Sequence, residues 1–365
     1  MGMAGIPVIT ELDNEEVKHL EKFIEEYKEQ YEPLYKILAQ RIADLLQDLL
    51  TEELIPVAYI EQRAKKSESL LDKLKRKHCK EPLEEIKDLA GIRVVTYYND
   101  DVSRVCDIVS REFNVDPLHS NDKINELEVD EFGYRSFHLV CGFKEPRSNL
   151  PEWKRLSSLC FEVQVRSVLQ HAWAAISHKL DYKSTSQAPQ EIRRGLYRLS
   201  ALLELADQEF ASIRDRAAGV VAQYRQDVEK GTLNIPLNID SLNQYLRERF
   251  NFDEWNKLGL QARLNKSNDY AKFDEADVQD NFLIFNSLGI RTVDELDDLL
   301  SKHKSQAVSI LKMMSESVAG ITAWPMNTMV YVLAIAEKHR LPHNFSWPEP
   351  WDDDMKSAMN HLLLK

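Results

Sequence analysis

The sequence of 365 residues is 43% hydrophobic and 29% charged, which is ordinary for a globular protein and long enough for two or more domains. Its formal net charge of -13 disfavours a broad nucleic-acid-binding surface, because such surfaces depend on Lys and Arg side chains that displace counterions. No apolar run is long enough to span a membrane, and the stretch MGMAGIPVIT lacks the basic flank of a signal peptide. We therefore expect a cytoplasmic protein with no membrane partner.

The chain starts with a helical pattern and then alternates between helix and strand patterns. Residues 11–50 carry apolar side chains at helical spacing, which predicts two helices. Three later stretches are rich in β-branched and aromatic residues, and the first two are separated by a predicted helix that Asp100 or Asp101 would cap. The predicted strands are GIRVVTYY (91–98), SFHLVCGF (136–143) and CFEVQVR (160–166).

A basic segment, RAKKSESLLDKLKRKHCK at 63–80, holds eight Lys or Arg against two acidic residues. Arg63 and Lys65 would point the same way from an extended segment, whereas Ser69 and Lys73 are four apart and align on a helix face. A strand or loop that enters a helix would gather these groups into an anion site. A solvated helix face is the alternative interpretation, and the chain has no GxxxxGK or GxGxxG loop.

Two carboxylates lie at the predicted sheet. Asp88 precedes the first strand, and Glu162 shares one face of the third strand with Gln164 and Arg166. Three polar residues on one face of a central strand are costly to bury unless a ligand or metal satisfies them. A carboxylate pair from neighbouring strands suits Mg²⁺, although a helix cap and a buried salt bridge would also account for the two residues.

The stretch EFGYRSFHLV, at 131–140, places an aromatic and a histidine at the start of the second strand. Strand alternation puts Tyr134 and His138 on the same face, so both side chains can reach one ligand. An ordinary half-buried strand is the alternative.

Helical patterns fill the rest of the chain. The third strand leads into SVLQHAWAAISHKLDYK, where His171 and His178 are seven apart and are more typical of core or supporting histidines than of metal ligands. A long helix is predicted from Pro189 to about Lys230, and residues 231–365 are predicted to be helical without a catalytic motif.

Five motifs occur in order: RAKKSESLLDK, DLAGIR, GYRSFH, EVQVR and HAWAAISHKLDYK. Together they resemble the synthetase domain of the RelA/SpoT family over about residues 55–185. The resemblance implies an α+β fold, a nucleotidyltransferase-like mixed β-sheet flanked by helices with helical N-terminal and C-terminal regions. It divides the chain into N-terminal helices (1–55), a synthetase domain (56–185), a long helix completing the catalytic domain (186–230) and a helical C-terminal domain (231–365).

The activity that this resemblance implies is transfer of the β,γ-pyrophosphate of ATP to the 3′-hydroxyl of GDP or GTP, which gives (p)ppGpp and AMP. Five residues would hold ATP: Arg63, Lys65, Ser69, Lys73 and Arg93. Asp88 and Glu162 would be the catalytic residues and would hold Mg²⁺, with Glu162 also acting as the base for the hydroxyl. Tyr134, His138 and Gln164 would bind the acceptor.

The sequence departs from the family pattern at two points. Phe132 stands where an Asn commonly precedes the GY, within an acidic segment, and Ser177 stands where an acidic residue commonly precedes the His. The first departure leaves acceptor identity open, so pyrophosphorylation of the tRNA 3′ end by a toxin and a non-catalytic nucleotide-sensing scaffold remain alternatives. The C-terminal region would bind a regulator or mediate oligomerisation.

Overall fold

The computed structural model describes residues 14–77, 79, 81–122, 136–179, 189–266, 275–317, 322–323, 325–347, 356 and 359–360. The chain divides into two compact units, Met1–Ile213 and Arg214–Lys365. Within the described residues, no helix is both long and apolar enough to cross a membrane.

The first unit begins with the two predicted helices. Helix α1 (Asn14–Glu26) is joined by a π-helical turn (Tyr27–Tyr31) to α2 (Glu32–Glu52). Helix α2 buries Leu38, Ile42, Leu46 and Leu50, which are four residues apart and therefore lie on one face.

The remaining elements that begin in this unit are strands and helices. In chain order they are β1 (Val57–Ala64), α3 (Ser67–Lys77), α4 (Pro82–Glu85), β2 (Ala90–Thr96), α5 (Asn99–Glu112), β3 (Phe113–Val115), β4 (Asn121–Asp122), β5 (Phe137–Phe143), β6 (Phe161–Ser167), α6 (Val168–Lys179) and α7 (Gln190–Glu229).

The strands form one mixed sheet in the order β1-β2-β6-β5-β3, with β4 also pairing with β5. Strands β2 and β6 are parallel, and the other neighbouring pairs are antiparallel. The predicted mixed sheet flanked by helices is confirmed, and β6 is an interior strand as expected. The sequence pattern at β1 fits either a strand or a loop, because its segment YIEQRA is mostly polar; the structure shows a strand that is largely exposed.

One sequence prediction about α5 is wrong. Neither Asp100 nor Asp101 is its cap: the helix starts at Asn99, and its N-cap, Tyr98, makes no side-chain capping hydrogen bond. The two aspartates lie in the first turn instead, where their negative charge interacts favourably with the positive end of the helix dipole.

The core of the first unit lies on the face of the sheet opposite the polar residues. It contains an aromatic cluster in which the Phe161 ring packs edge-on against Phe113 at 5.1 Å and against Phe143 at 5.8 Å between centroids. Phe161 and Phe113 are fully buried. This cluster joins β3, β5 and β6 at one end of the sheet.

The second unit contains the last part of α7, from Arg214 to Glu229, and is mainly helical. Its elements are α8 (Ile239–Glu248), α9 (Phe252–Gln261), β7 (Asn265–Lys266), α10 (Glu275–Ser287), α11 (Val293–His303), α12 (Ala307–Ser317), β8 (Thr322–Ala323) and α13 (Pro325–Ala336). The apolar residues Ile310, Leu311 and Met314 of α12 are buried in this unit's own core. That stripe is therefore core packing and is not a surface for a partner.

We expect Phe161→Ala to lower the free energy of unfolding by about 3–5 kcal/mol, because it removes a buried ring and leaves a cavity between strands. Urea unfolding followed by circular dichroism measures the change. Phe210→Ala, at a side chain that is 53% exposed on α7, is the matched control and should change stability by less than about 1 kcal/mol. Equal effects of the two substitutions would contradict the assignment of this core.

Candidate active site

The register of the sheet gathers polar side chains on one face. Gly91 of β2 lies opposite Glu162 of β6, and Arg93 lies opposite Gln164. On the other side of β2, Arg63 of β1 lies opposite Gly91. Directly paired residues share a face, so these side chains line a common surface. A cleft of about 400 Å³ opens there, lined by Ile60, Glu61, Gln62, Arg63, Gly91, Ile92, Arg93 and Gln164.

The Arg63 side chain lies over Gly91. A Cβ built on Gly91 would be 3.7 Å from Arg63 Cγ and 3.8 Å from Nε, which is ordinary van der Waals contact. Because Gly91 has no side chain, no atoms project from β2 into the space beside the Arg63 guanidinium group. A planar guanidinium group beside such an open space is suited to stacking on a nucleotide base.

Asp88 lies between two lysines at the N-terminal part of α3, called here the entrance of α3: Lys65, which precedes the helix, and Lys73, which lies on it. Its Oδ2 accepts a hydrogen bond from Lys65 Nζ at 2.7 Å, and its Oδ1 accepts one from Lys73 Nζ at 2.7 Å. Burial alone would raise the pKa of Asp88, but the hydrogen bonds and charges of Lys65 and Lys73 outweigh it and hold this pKa below its ordinary value. Asp88 is therefore ionised at neutral pH, and its negative charge keeps the two lysines next to it.

The N-terminal helices hold this entrance in place. The fully buried Tyr27 donates its hydroxyl to the carbonyl oxygen of Lys65 at 2.7 Å. The backbone N–H of Ser67, the first residue of α3, donates to Glu32 Oε2 at 3.1 Å. Tyr27 is the first residue of the π-helical turn and Glu32 directly follows it; such a turn is a local distortion that is common near functional sites. The sequence carried no signal for either contact, since each depends on tertiary packing.

Glu162 starts a chain of hydrogen bonds along β6. Its Oε1 is 2.8 Å from His138 Nδ1, and its Oε2 accepts from Gln164 Nε2 at 2.9 Å. Gln164 Oε1 in turn accepts from Arg166 Nη2 at 2.9 Å. Burial would raise the pKa of Glu162, but the hydrogen bond and charge of His138 and the hydrogen bond from Gln164 lower it below its ordinary value. The polar residues predicted to share a face of this strand thus contact one another.

Arg93 pairs with a residue that the sequence analysis did not select. Its Nη1 donates to Glu61 Oε2 at 2.8 Å, across the β1–β2 pair in which the two residues are directly opposite. Had β1 been predicted as a strand, alternation in YIEQRA would have placed Glu61 on the same face as Arg63. The mostly exposed, polar character of β1 hid this signal.

The other predicted residues fall in different places. Ser69 is exposed on α3, one turn before Lys73. His171 of α6 packs edge-on against Tyr59, with ring centroids 5.8 Å apart. Ser177 is half-buried on the same helix, and its Oγ has no hydrogen-bond partner among the described residues. Tyr134, Phe132 and the side chain of His178 lie outside what the structure describes.

Asp88 and Glu162 have the properties of a pair that can share a divalent cation. Both carboxylates are ionised, and the negative charge of Asp88 acts to raise the pKa of Glu162, so the two lie within electrostatic reach of each other. The described residues contain no group of three or more His, Cys, Asp or Glu that could hold a metal. Two carboxylates are the usual protein contribution to Mg²⁺ bound together with phosphate.

Comparison with known proteins agrees with this geometry. The profile described as "Region found in RelA / SpoT proteins" matches residues 62–187. GTP pyrophosphokinase YjbM of Bacillus subtilis (strain 168) is 30% identical over 172 residues, covering 46% of this chain and 77% of that protein. GTP pyrophosphokinase YwaC of the same organism is 26% identical over 163 residues, covering 44% and 74%.

A solved structure of small alarmone synthetase 1 from Bacillus subtilis covers 52% of this chain and 97% of that one, with 27% identity and a TM-score of 0.41. The matched region of YjbM includes more than two thirds of its length, and the family profile spans β1 to α6 with every described residue of the predicted site. The chain belongs to the RelA/SpoT family.

Proposed function

We propose that this chain is an ATP-dependent pyrophosphokinase that moves the β,γ-pyrophosphate of ATP to the 3′-hydroxyl of GDP or GTP, giving (p)ppGpp and AMP. The observation that carries the proposal is the pairing of Lys65 and Lys73 with Asp88 beside the Arg63–Arg93 cleft. Cations next to an ionised carboxylate are what transfer of a phosphoryl-type group requires, because this chemistry depends on positioning and charge neutralisation. The names of the two curated relatives, both GTP pyrophosphokinases, support the same reaction.

The adenine of ATP would bind in the cleft, and its phosphates would bind between the cleft and the entrance of α3. Arg63 would stack on the adenine beside Gly91, which has no side chain. Lys65, Ser69, Lys73 and Arg93 would surround the phosphates. Lys65 and Lys73 would transfer their hydrogen bonds from Asp88 to phosphate oxygens, so the site exchanges one set of anionic partners for another.

Asp88 and Glu162 would hold Mg²⁺. The cation, when bound, would neutralise charge on the phosphate oxygens and orient the transferred group. Both carboxylates are in the deprotonated form that binds a metal, because their pKa values are lowered. Release of Asp88 from the two lysines would free its oxygens for this role.

The acceptor would lie on the β5 side of the sheet. His138 is directly opposite Gln164 and contacts Glu162, so a hydroxyl placed there can donate to the Glu162 carboxylate. Glu162 would then orient the 3′-hydroxyl and accept its proton. Tyr134 would stack on the acceptor base, and His138 and Gln164 would contact the sugar or its phosphates.

The reaction is tested by incubating the purified chain and Mg²⁺ with γ-labelled ATP and, separately, GDP, GTP or bulk tRNA. We expect the label to appear in a guanosine product and AMP to form in equal amount. Label in tRNA would establish the alternative acceptor and overturn the guanine-nucleotide assignment. Intact ATP binding without transfer to any acceptor would support the scaffold alternative instead.

We predict that Asp88→Asn and Glu162→Gln each reduce transfer on the order of 100-fold or more, because each keeps the side-chain volume but removes a charge needed for the metal. Asp48→Asn, on an exposed position of α2, is the matched control and should leave transfer unchanged. Circular dichroism should show that all three variants are folded. Substantial activity in either site variant would refute the metal assignment.

His138→Phe should raise the pKa of Glu162 above its ordinary value of 4.5, because burial remains while the hydrogen bond and charge of His138 are removed. Carbon-detected NMR titration of the carboxyl group measures the shift, and the acid limb of kcat/KM should move to higher pH. Ser136→Ala is the control, since Ser136 contacts His138 Nε2 and leaves the contact with Glu162 in place.

The same substitution has a consequence for stability. In the wild type the lowered pKa means that ionised Glu162 stabilises the fold above about pH 4.5, and this contribution is lost as the pH falls further. In His138→Phe a raised pKa reverses the sign, so the cost of burying the carboxylate is present at neutral pH and decreases on acidification. An unchanged Glu162 pKa and an unchanged pH profile of stability would contradict this account.

A further inference from the structure

Two guanidinium groups and an imidazole surround the end of the cleft at Arg93. On β6, Arg166 lies two residues beyond Gln164, the residue opposite Arg93, and therefore shares its face of the sheet. His171 follows on α6. Burial and the charge of Arg93 lower the pKa of Arg166, and burial with the charges of Arg93 and Arg166 lowers that of His171. The two guanidinium charges are thus held near each other at a cost to the free protein, and the lowered pKa keeps the imidazole of His171 neutral at neutral pH.

Three nitrogen atoms in this cluster are buried and have no hydrogen-bond partner among the described residues. They are Arg93 Nε, Arg166 Nε and His171 Nδ1. Arg166 as a whole is only 7% exposed. A buried polar nitrogen without a partner costs free energy, and a cluster of such atoms is suited to binding a polar ligand.

Glu61 shows where an anion is favoured in this cluster. Its carboxylate accepts from Arg93 at 2.8 Å. Its negative charge also acts to raise the pKa of Arg166 and of His171, so it interacts electrostatically with all three groups. The side chain is 56% exposed and lines the cleft, so it can leave without disturbing the core.

The alternative, a simple cross-strand ion pair between Glu61 and Arg93, explains fewer of these contacts than an anion site does. Such a pair needs one cation, and the Glu61–Arg93 contact on neighbouring strands supplies it. It does not explain why the Arg166 guanidinium and the His171 imidazole also lie where the Glu61 charge acts on them. A site for a more highly charged anion explains all of them.

We infer that Arg93, Arg166 and His171 form one subsite for a phosphate group of a nucleotide, and that Glu61 occupies it as an internal anion while the subsite is empty. The choice of a nucleotide as the ligand rests on the proposed function. The phosphate has to displace Glu61, so Glu61 lowers the apparent affinity of the site and favours ligands with enough charge to compete. Glu61 is thus a residue that sets specificity, and it acts through Arg93, the one member of the subsite that is also proposed to bind ATP.

Glu61→Gln tests this inference, because the amide can still accept from Arg93 but no longer carries the charge. Isothermal titration calorimetry would measure the affinities of α,β-methylene ATP, GDP, pyrophosphate and adenosine for the wild type, Glu61→Gln and Glu152→Gln. Glu152 is an exposed carboxylate between β5 and β6 and serves as the matched control. All measurements are direct binding assays and need no turnover.

We expect Glu61→Gln to bind at least one phosphate-bearing ligand about two- to fivefold more tightly, the range that one partly exposed ion pair supplies. Adenosine should bind equally to both proteins, and Glu152→Gln should match the wild type. The ligand whose affinity increases identifies the source of the phosphate: the ATP analogue, GDP or free pyrophosphate. Weaker or unchanged binding of all three phosphate-bearing ligands would overturn the inference.

A second measurement follows His171 itself. The ring of Tyr59 on β1 packs against the His171 ring, and the charges of Glu61 on β1, Arg93 on β2 and Arg166 on β6 act on the pKa of His171. NMR titration, with the signal assigned through His171→Asn, should show a higher pKa for His171 when the bound phosphate replaces a single carboxylate charge. In ligand-free Glu61→Gln the pKa should fall below the wild-type value. No shift in either case would contradict the subsite.

The two proposals fail in different ways. A chain that shows the Glu61→Gln effect on binding but transfers no pyrophosphate would refute the proposed reaction and leave the subsite intact. A chain that transfers pyrophosphate normally but shows no Glu61 effect would refute the subsite alone.

Discussion

The register between the parallel strands β2 and β6 is the constraint on which the rest of the site depends. It sets Gly91 against Glu162 and Arg93 against Gln164, so the polar residues of both strands lie on one face while Ile92, Val94, Val163 and Val165 are buried. A slip of one residue would turn each polar side chain into the core and each apolar one out of it. The apolar residues therefore fix the position of the catalytic ones.

The charged groups of the site are paired with one another in the free chain. Asp88 is bound by Lys65 and Lys73, Glu162 by His138, and Arg93 by Glu61. Each pairing lowers the cost of keeping ionised groups partly buried before a ligand arrives. Nucleotide binding would then be an exchange of partners, in which phosphate replaces carboxylate at the cations and the released carboxylates become available to a metal and a hydroxyl.

Sequence reasoning succeeded where one chain segment carries the information. Alternation in FEVQVR placed Glu162, Gln164 and Arg166 together, and the spacing of Ser69 and Lys73 gave the helix that brings Lys73 to Asp88. It failed where the partner lies far along the chain. Glu61, Tyr27 and Glu32 act through contacts across 32, 38 and 35 residues, and finding these contacts requires knowing which segments pack together. Tyr134 and the division of the chain into domains remain predictions.

The exchange of partners is the central claim, and an experimental structure with Mg²⁺ and α,β-methylene ATP tests it most directly. The distances from Lys65 Nζ and Lys73 Nζ to the Asp88 carboxylate are 2.7 Å in the free chain. The account predicts that in the complex both ammonium groups contact phosphate oxygens and both distances exceed hydrogen-bonding range. A bound nucleotide with both 2.7 Å pairs preserved would contradict it.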